Sequence, residues 1–186
     1  MVPIIETERL RLRGIKAADF TEHVAMLADP EVMRHVGGKP LGREDAWRRL
    51  LVAPGLWSLL GFGYWAVERR SDGRYLGQAG FGDFKREIVP AIDGLPEAGW
   101  MFAAHAHGQG YATEAVAAAI AWGDRALPGR DFVAIIDPGN VASIRVARKS
   151  GFVHAETADY QGEAARGSTE TRRRPGERRD PGTRAS

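Results

Sequence analysis

The residues with the clearest chemical potential form one glycine-rich turn, residues 107–113, with the sequence HGQGYAT. A short apolar stretch precedes it and a helical pattern of apolar residues follows it, so the turn joins a predicted strand to the start of a predicted helix. The first N–H groups of a helix lack partners within the helix, and the helix dipole favours negative charge, which suits phosphate groups. Gly108 and Gly110 allow a sharp bend and a close approach to a ligand. They are also compatible with a tight turn that binds nothing.

Two familiar phosphate-binding patterns are not completed at this turn. A P-loop requires Lys and then Ser or Thr after its last glycine, and a dinucleotide fingerprint requires a third glycine. Here Gly110 is followed by Tyr111, Ala112 and Thr113. A doubly wound nucleotide-binding domain is disfavoured as well, because a long antiparallel and helical pattern precedes the turn, whereas the first strand of that fold leads directly into it.

A second stretch of interest is residues 140–152, NVASIRVARKSGF. Asn140 suits the N-cap of a helix and Gly151 suits the glycine position after its last turn, and these capping roles alone explain both residues. His105 and His107 form an HxH pair, but no third ligand is obvious. We therefore expect the two histidines to shape the turn or the rim of a cleft, and we predict no metal.

These stretches resemble the GNAT N-acetyltransferases, in the branch similar to the ribosomal-protein N-terminal acetyltransferases. Residues 107–115 resemble the acetyl-CoA motif of that family, which usually begins with Arg or Gln where this chain has His107. Residues 140–152 resemble its second acetyl-CoA segment, N-x-x-S-I-x-x-x-x-K-x-G-F, and residues 7–13, TERLRLR, resemble the opening strand of the branch. The resemblance covers residues 6–160.

The resemblance implies acetyl-CoA as co-substrate and a primary amine as acceptor, which attacks directly within a ternary complex. The backbone N–H groups of residues 109–113 would hold the pyrophosphate, Asn140 would anchor the pantetheine arm or support its strand, and Ser143 would lie near the thiol. Backbone of the 98–104 strand would stabilise the oxyanion. The predicted cofactor-binding residues are His107, Gly108, Gln109, Gly110, Tyr111, Ala112, Thr113, Asn140 and Ser143.

An amine that is protonated at neutral pH must lose a proton before it attacks, so a base is required. Glu97, at the start of the strand that enters the cleft, is the predicted base, although an exposed charge at a strand start would explain it too. Many family members protonate the thiolate with a tyrosine whose place is taken here by Ala147, which leaves Ser143, water or Tyr160. Glu114 is predicted to be structural, since its charge would repel phosphate unless turned away. A non-catalytic acyl-CoA-binding module is the alternative function.

Hydrophobic periodicity predicts the elements that position these residues. Strands are predicted over 4–13, 63–69, 75–84, 96–102, 132–136 and 152–157, and helices over 17–27, 31–36, 43–51, 111–126 and 141–150. Asp72-Gly73 indicates a hairpin. The helical crossover between the strands around 98–104 and 132–136 indicates a parallel pair. Together with these elements, the resemblance implies an α/β (α+β) fold class: the GNAT fold, a mixed, mostly antiparallel twisted sheet with a central splayed parallel pair flanked by helices.

Composition predicts one domain over residues 1–160, which the resemblance identifies as an acetyltransferase domain, followed by a tail. The 186 residues are 44% hydrophobic, which suffices for one core. Residues 161–186 contain no apolar side chain larger than alanine, so we expect an Arg-rich, disordered or aberrant tail that lacks the family's last strand and leaves a sheet edge open. The tail carries a net charge of +3 against +2 for the whole chain, which leaves the first 160 residues at −1. The basic pI therefore does not favour a nucleic-acid partner.

Several further properties are bounded or left open by the sequence. No long apolar run and no signal-like leader is present, so no membrane partner and a cytoplasmic location are expected. The absence of cysteine excludes a thiol nucleophile. The acceptor stays open between a protein N-terminus, an antibiotic amine, a polyamine and an amino acid, because loops such as 37–42 and 85–96 shape such pockets. Both monomer and homodimer stay open. Candidate acceptor contacts are Val36, Trp47, Leu56 and Trp57.

Overall fold

A computed structural model describes residues 1–160 and 163–172 of the chain. The strands are β1 Ile5–Glu6, β2 Leu10–Arg13, β3 Tyr64–Arg69, β4 Tyr75–Gly82, β5 Ile88–Val89, β6 Glu97–Phe102, β7 Phe132–Ile136, β8 Val153–Tyr160 and β9 Glu163–Arg172. The α-helices are α1 Phe20–Leu27, α2 Pro30–Met33, α3 Arg43–Leu60, α4 Tyr111–Ala126 and α5 Val141–Lys149. Within the described residues the strands form one nine-stranded sheet in the order β1-β2-β3-β4-β6-β7-β9-β8-β5.

The centre of the sheet contains the parallel pair that the sequence predicts. Strands β6 and β7 are parallel and pair at Glu97 and Val133 alone, whereas the other paired strands of the described sheet run antiparallel. A parallel connection requires a crossover, and α4 supplies it. Beyond Glu97 the ladder between β6 and β7 ends, so the two strands are splayed toward their carboxyl ends. The predicted fold class is confirmed.

The two faces of the sheet are covered by different helices. The first face packs on α4, and its core includes Phe81, Ala98, Val116 and Ile120. Small residues let α4 approach closely: a β-carbon added at Gly123 would lie 2.8 Å from the Phe132 ring. Successive residues of a strand point to opposite faces, so the neighbours of Ala98 face the other side, where α1, α2 and α3 lie. This second face carries the candidate site.

Three predicted local elements differ from the structure. The 4–13 stretch forms a β1–β2 hairpin, because the Thr7 N–H donates to the Leu10 carbonyl at 2.9 Å and turns the chain. Helix α3 continues past the predicted end at residue 51 and past Pro54 to Leu60. Trp57 explains the extension, since its ring packs against aromatic rings of β3 and α4. In the predicted loop 87–95, Ile88 and Val89 form the short strand β5.

The prediction that residues 161–186 lie outside the fold and leave a sheet edge open is wrong for residues 163–172. These form β9, which pairs antiparallel with β7 on one side and β8 on the other. Backbone hydrogen bonds on both edges compensate for the lack of large apolar side chains. The Arg172 guanidinium also makes a bidentate pair with Asp124 of α4, at 2.6 and 2.9 Å. The remaining residues of the predicted tail, 161–162 and 173–186, lie outside the described part of the chain.

Candidate functional site

The glycine-rich turn lies at the N-terminus of α4, as its sequence predicts. Gly108 and Gly110 have φ angles of 72° and 80°, in the left-handed region that favours glycine, and Gly110 is the N-cap residue. Among the described residues, the backbone N–H groups of 109–113 have no acceptor, whereas that of Glu114 already bonds to Gly110. A run of unsatisfied donors at a helix N-terminus is suited to an anion with several oxygens.

Residues 7–9, which connect β1 to β2, contact the turn and stabilise its conformation. The Glu114 carboxylate accepts hydrogen bonds from the Thr7 hydroxyl at 2.6 Å, from the Arg9 backbone N–H at 3.0 Å and from Arg9 Nε at 2.8 Å. Burial tends to raise the pKa of Glu114, but these bonds outweigh it and the pKa is lowered. Arg9 also donates to the Gln109 carbonyl at 3.0 Å and covers the Tyr111 ring. Glu114 is therefore turned away from the free N–H groups.

The polar side chains of His107 and Gln109 make hydrogen bonds to nearby backbone carbonyls and so stabilise the turn. His107 Nε2 donates to the Phe102 carbonyl at 2.8 Å, which ties the turn to the end of β6. Gln109 donates to the His105 carbonyl at 2.7 Å. The substitution of His107 for the usual Arg or Gln thus leaves the backbone donors in place.

A cleft of about 880 Å³ opens on the second face of the sheet, where β6 and β7 diverge. Its floor comes from β6 and β7, one wall from α3 and the loop after α2, and the other from the start of α5. Of the predicted site residues, the cleft brings together Glu97, Asn140 and Ser143, whereas residues 107–113 are not part of its lining. The predicted site therefore consists of two parts, an anion-binding turn and a cleft.

Glu97 and Arg86 form an ion pair in the cleft. Glu97 is buried, and its two carboxylate oxygens accept hydrogen bonds from Arg86 at 2.6 and 2.8 Å. The predicted base is thus held by a guanidinium from the 83–96 connection rather than exposed at a strand start. Two of the lone pairs that a base would use are already engaged.

A histidine and an aspartate face each other across the same cleft. Nδ1 of His35, from the loop after α2, lies 2.9 Å from Oδ2 of Asp137, which follows β7. The Asp137 carboxylate also accepts from the Gly139 N–H at 2.7 Å, which orients it. A carboxylate on Nδ1 favours the tautomer with the proton there and leaves Nε2 as an acceptor. Among the described residues, His35 Nε2 makes no hydrogen bond.

Helix α5 presents Asn140 and Ser143 to the cleft. The Asn140 side chain accepts from the Ser143 N–H at 3.0 Å, so the predicted N-cap role is confirmed. Ala147, which stands where many family members have the acidic tyrosine, is fully buried in the core and does not line the cleft. Tyr160 lies outside the side chains that the structure describes.

Arg49 of α3 and Tyr64 of β3 also contribute to the polar lining of the cleft. Desolvation by the surrounding protein lowers the pKa of Arg49, and the positive charge of Arg86 acts in the same direction. Burial raises the pKa of the Tyr64 phenol, with the charge of Glu97 acting in the same direction. Tyr64 is therefore neutral at physiological pH and has one O–H to donate.

Of the four residues predicted to contact the acceptor, one lines the cleft and three do not. Val36 lines the cleft. Trp57 packs instead in the core and donates to the Tyr64 carbonyl at 3.0 Å, and Trp47 stacks edge-on against Phe20. Leu56 also lies outside the cleft lining.

Sequence reasoning missed several residues that line the cleft. None of them belongs to a recognisable motif, and each reaches the cleft from a different part of the chain. The sequence feature that comes closest to predicting one of them is the Gly37-Gly38 pair, which indicates a loop after α2. The missed residues are His35, Arg49, Tyr64, Arg86 and Asp137.

The geometry fits an elongated anionic ligand with an apolar arm. The free N–H groups of α4 suit its phosphates, and the gap between β6 and β7 lies beside apolar Ile135 and Ile136. Among the described residues no cluster of three or more His, Asp or Glu side chains could hold a metal ion. No helix in the described part is long and apolar enough to cross a membrane.

Comparisons with known proteins agree with this geometry. A family model described as an acetyltransferase (GNAT) domain matches residues 9–153. The uncharacterised Bacillus subtilis protein YkkB is 36% identical over 157 residues, which cover 81% of this chain and 86% of that one. An acetyltransferase structure from Agrobacterium tumefaciens is 26% identical, covers 94% of this chain and 96% of its own, and has a TM-score of 0.80. The structure of the RimL ribosomal-protein acetyltransferase with coenzyme A shares the fold at 16% identity, covering 91% and 97%, with a TM-score of 0.73.

Proposed function

The chain belongs to the GNAT acetyltransferase family, and we propose that it transfers an acetyl group from acetyl-CoA to a primary amine by direct attack in a ternary complex. The observation that carries the proposal is the run of backbone N–H groups at residues 109–113, left without acceptors at the start of α4. The solved RimL structure contains coenzyme A, which supports the same ligand here.

The nine predicted cofactor residues take different parts in this proposal. Gly108 and Gly110 shape the turn, and residues 109–113 donate backbone N–H groups to the pyrophosphate. His107 holds the turn on β6. Asn140 and Ser143, together on the cleft wall, contact the pantetheine arm where it enters the gap between β6 and β7. Acetyl-CoA supplies the activated acetyl group.

Two groups on the cleft wall are candidates for the base that deprotonates the amine. Both oxygens of Glu97 accept hydrogen bonds from Arg86, whereas Nε2 of His35 is unengaged in the described structure and has its tautomer set by Asp137. General-base catalysis requires a free lone pair within reach of the substrate proton. We therefore assign proton removal to His35 ahead of Glu97, and we assign to the Glu97–Arg86 pair the shape and polarity of the acceptor end.

Calorimetric titration of the full chain with acetyl-CoA tests whether the turn at residues 107–113 binds the cofactor. Gly110→Glu places a carboxylate among the free N–H groups and is expected to abolish binding. Gly129→Glu is the matched control: Gly129 has a φ of 81° against 80° at Gly110, but it lies beyond the opposite end of α4. Equal loss in both variants, or no binding by the folded wild type, would overturn the proposal.

A coupled assay of free CoA release with a panel of amines tests whether the protein transfers the acetyl group to an amine. The panel contains a peptide with a free N-terminus, a polyamine, an aminoglycoside and an amino acid. Turnover with any of them supports acetyl transfer. Tight acetyl-CoA binding without turnover on every amine would instead support the non-catalytic acyl-CoA-binding module.

A further inference from the structure

Three residues on neighbouring strands form a straight row across the sheet beneath the cleft. Tyr64 of β3 pairs with Gly80 of β4, and Gly80 pairs with Gly99 of β6. Residues paired in this way have their side-chain directions on the same face of a sheet. Because both glycines lack a side chain, the Tyr64 ring extends from β3 across β4 and reaches β6.

The end of this row is a phenol hydroxyl held against the backbone of Gly99. A β-carbon built on Gly99 would overlap Tyr64 Oη and lie 3.2 Å from the ring, so the hydroxyl occupies the place of a side chain. The hydroxyl group makes no hydrogen bond with any residue of the described structure. Both Tyr64 and Gly99 line the cleft. Tyr64 Oη is not one of the buried side-chain atoms that lack a partner, so the hydroxyl is open to the cleft and available to a bound ligand.

The position of the hydroxyl relative to the strand gap indicates which ligand atom it meets. Gly99 lies two residues after Glu97, the last point at which β6 pairs with β7, and Ile135 of β7 lines the same cleft. In the proposed function, which this inference depends on, the acetyl thioester occupies that opening. Helix α5 offers no acid at Ala147, which is buried in the core.

We propose that Tyr64, reaching the site from β3, is the acid that protonates the sulfur of the departing coenzyme A. The amine nitrogen forms the new C–N bond, and the C–S bond breaks with its electron pair going to sulfur. The Tyr64 O–H proton passes to that sulfur, and the proton lost by the nitrogen returns to the phenolate through the base. The products are the amide and the thiol, and Tyr64 is regenerated.

The substitution Tyr64→Phe removes the hydroxyl and keeps the ring over Gly80. General-acid catalysis contributes on the order of 100-fold or more, so kcat is expected to fall by about that factor while the Kd for acetyl-CoA stays unchanged. Tyr75→Phe is the matched control, because Tyr75 is a buried tyrosine of β4 whose hydroxyl contacts His23 at 3.2 Å and does not line the cleft. It is expected to lower stability and leave kcat as in the wild type.

A second measurement does not depend on turnover. The pKa of the CoA thiol in the complex is read from the ultraviolet absorbance of the thiolate, against a complex with CoA that lacks the sulfur. A hydrogen bond from the phenol favours the thiolate over the thiol, so its loss in Tyr64→Phe is expected to raise the thiol pKa by about one unit. A hydroxyl that only contacts the amine would raise KM for the amine and leave the thiol pKa alone, and that result would overturn the proposal.

Gly99→Ala provides an independent variant, since its methyl group displaces the hydroxyl without removing it. It is expected to lower kcat and raise the thiol pKa as Tyr64→Phe does, and the double variant is expected to lose little more than either single one. Additive losses would contradict a shared cause. A wild type that binds and acetylates, with Tyr64→Phe equally active, would refute this inference and leave the proposed function standing. A wild type that neither binds nor acetylates would refute the proposed function itself.

Discussion

Replacing Arg9 by methionine is expected to weaken acetyl-CoA binding by up to about tenfold, although Arg9 contributes none of the proposed phosphate donors. Arg9 donates to the Gln109 carbonyl and holds Glu114 away from the free N–H groups. A hydrogen bond from a charged group contributes about 1.5–3 kcal/mol, and the lower value applies because the Arg9 side chain is 44% exposed. If that contribution maintains the binding-competent turn, its loss raises Kd by no more than about tenfold.

The chain offers a closely matched control for this substitution. Arg11 is also 44% exposed and forms an ion pair, but with Glu6 and not with α4. Isothermal titration calorimetry with acetyl-CoA is expected to show a raised Kd for Arg9→Met and an unchanged Kd for Arg11→Met. Equal Kd values for the two variants would refute the positioning role.

A second substitution tests the sign of the electrostatic argument. In Arg9→Met the charge of Glu114 is no longer compensated and lies in the first turn of α4, where it opposes phosphate binding. Adding Glu114→Gln to Arg9→Met is expected to restore part of the affinity, whereas Glu114→Gln alone weakens the contact with Arg9 and leaves Kd unchanged or raised. If Glu114→Gln changes Kd equally in the wild type and in Arg9→Met, the effect of Arg9 on acetyl-CoA binding does not depend on its ion pair with Glu114.

Three further outcomes are expected. His35→Gln should lower kcat and leave KM for the amine nearly unchanged, while Glu97→Gln should chiefly raise KM for the amine, as steady-state kinetics would show; the reverse pattern would return the base role to Glu97. The buried His23 has its pKa lowered by burial to about 4, against an ordinary value of 6.5, so the unfolded chain binds more protons between these values. The free energy of unfolding should therefore be nearly constant above about pH 7.5 and fall by about 2 kcal/mol from there to about pH 5, as urea titrations would show, and His23→Asn should flatten this dependence. Arg172→Met should lower the free energy of unfolding by about 1–2 kcal/mol, because it leaves the partly buried Asp124 carboxylate without its bidentate partner; an unchanged urea midpoint would show that β9 contributes little to the fold.

Elements defined by local chemistry were predictable from the sequence. Helix α4 spans Tyr111–Ala126 and strand β7 spans Phe132–Ile136, as the apolar periodicity indicates. Asn140 caps α5, and Gly73 turns the β3–β4 hairpin with a φ of 70°. Such features depend on residues within one or two turns of each other, so the information is contained in a short stretch. The same locality made the glycine-rich turn recognisable as a phosphate-binding candidate.

The elements that were mispredicted depend on partners distant in sequence. Helix α3 continues past Pro54 because Trp57 meets rings of β3 and α4, and β9 forms because strands β7 and β8 lie on either side of it. Neither effect leaves a periodic signal in the segment itself. Tertiary packing overrides a local stop signal when the free energy of burying the side chains exceeds the local conformational cost.

The sequence by itself determined the family, the parallel pair and the helix terminus that offers N–H groups to phosphate. Only the tertiary structure decided the chemistry of the cleft: Arg86 holds Glu97, His35 meets Asp137 from 102 residues away, and Tyr64 extends across Gly80 of β4 to Gly99 of β6. Hydrogen bonds and van der Waals contacts act over a few ångströms in space, whatever the separation along the chain. Residue types and spacing therefore predict which groups are available, and the fold decides which of them meet.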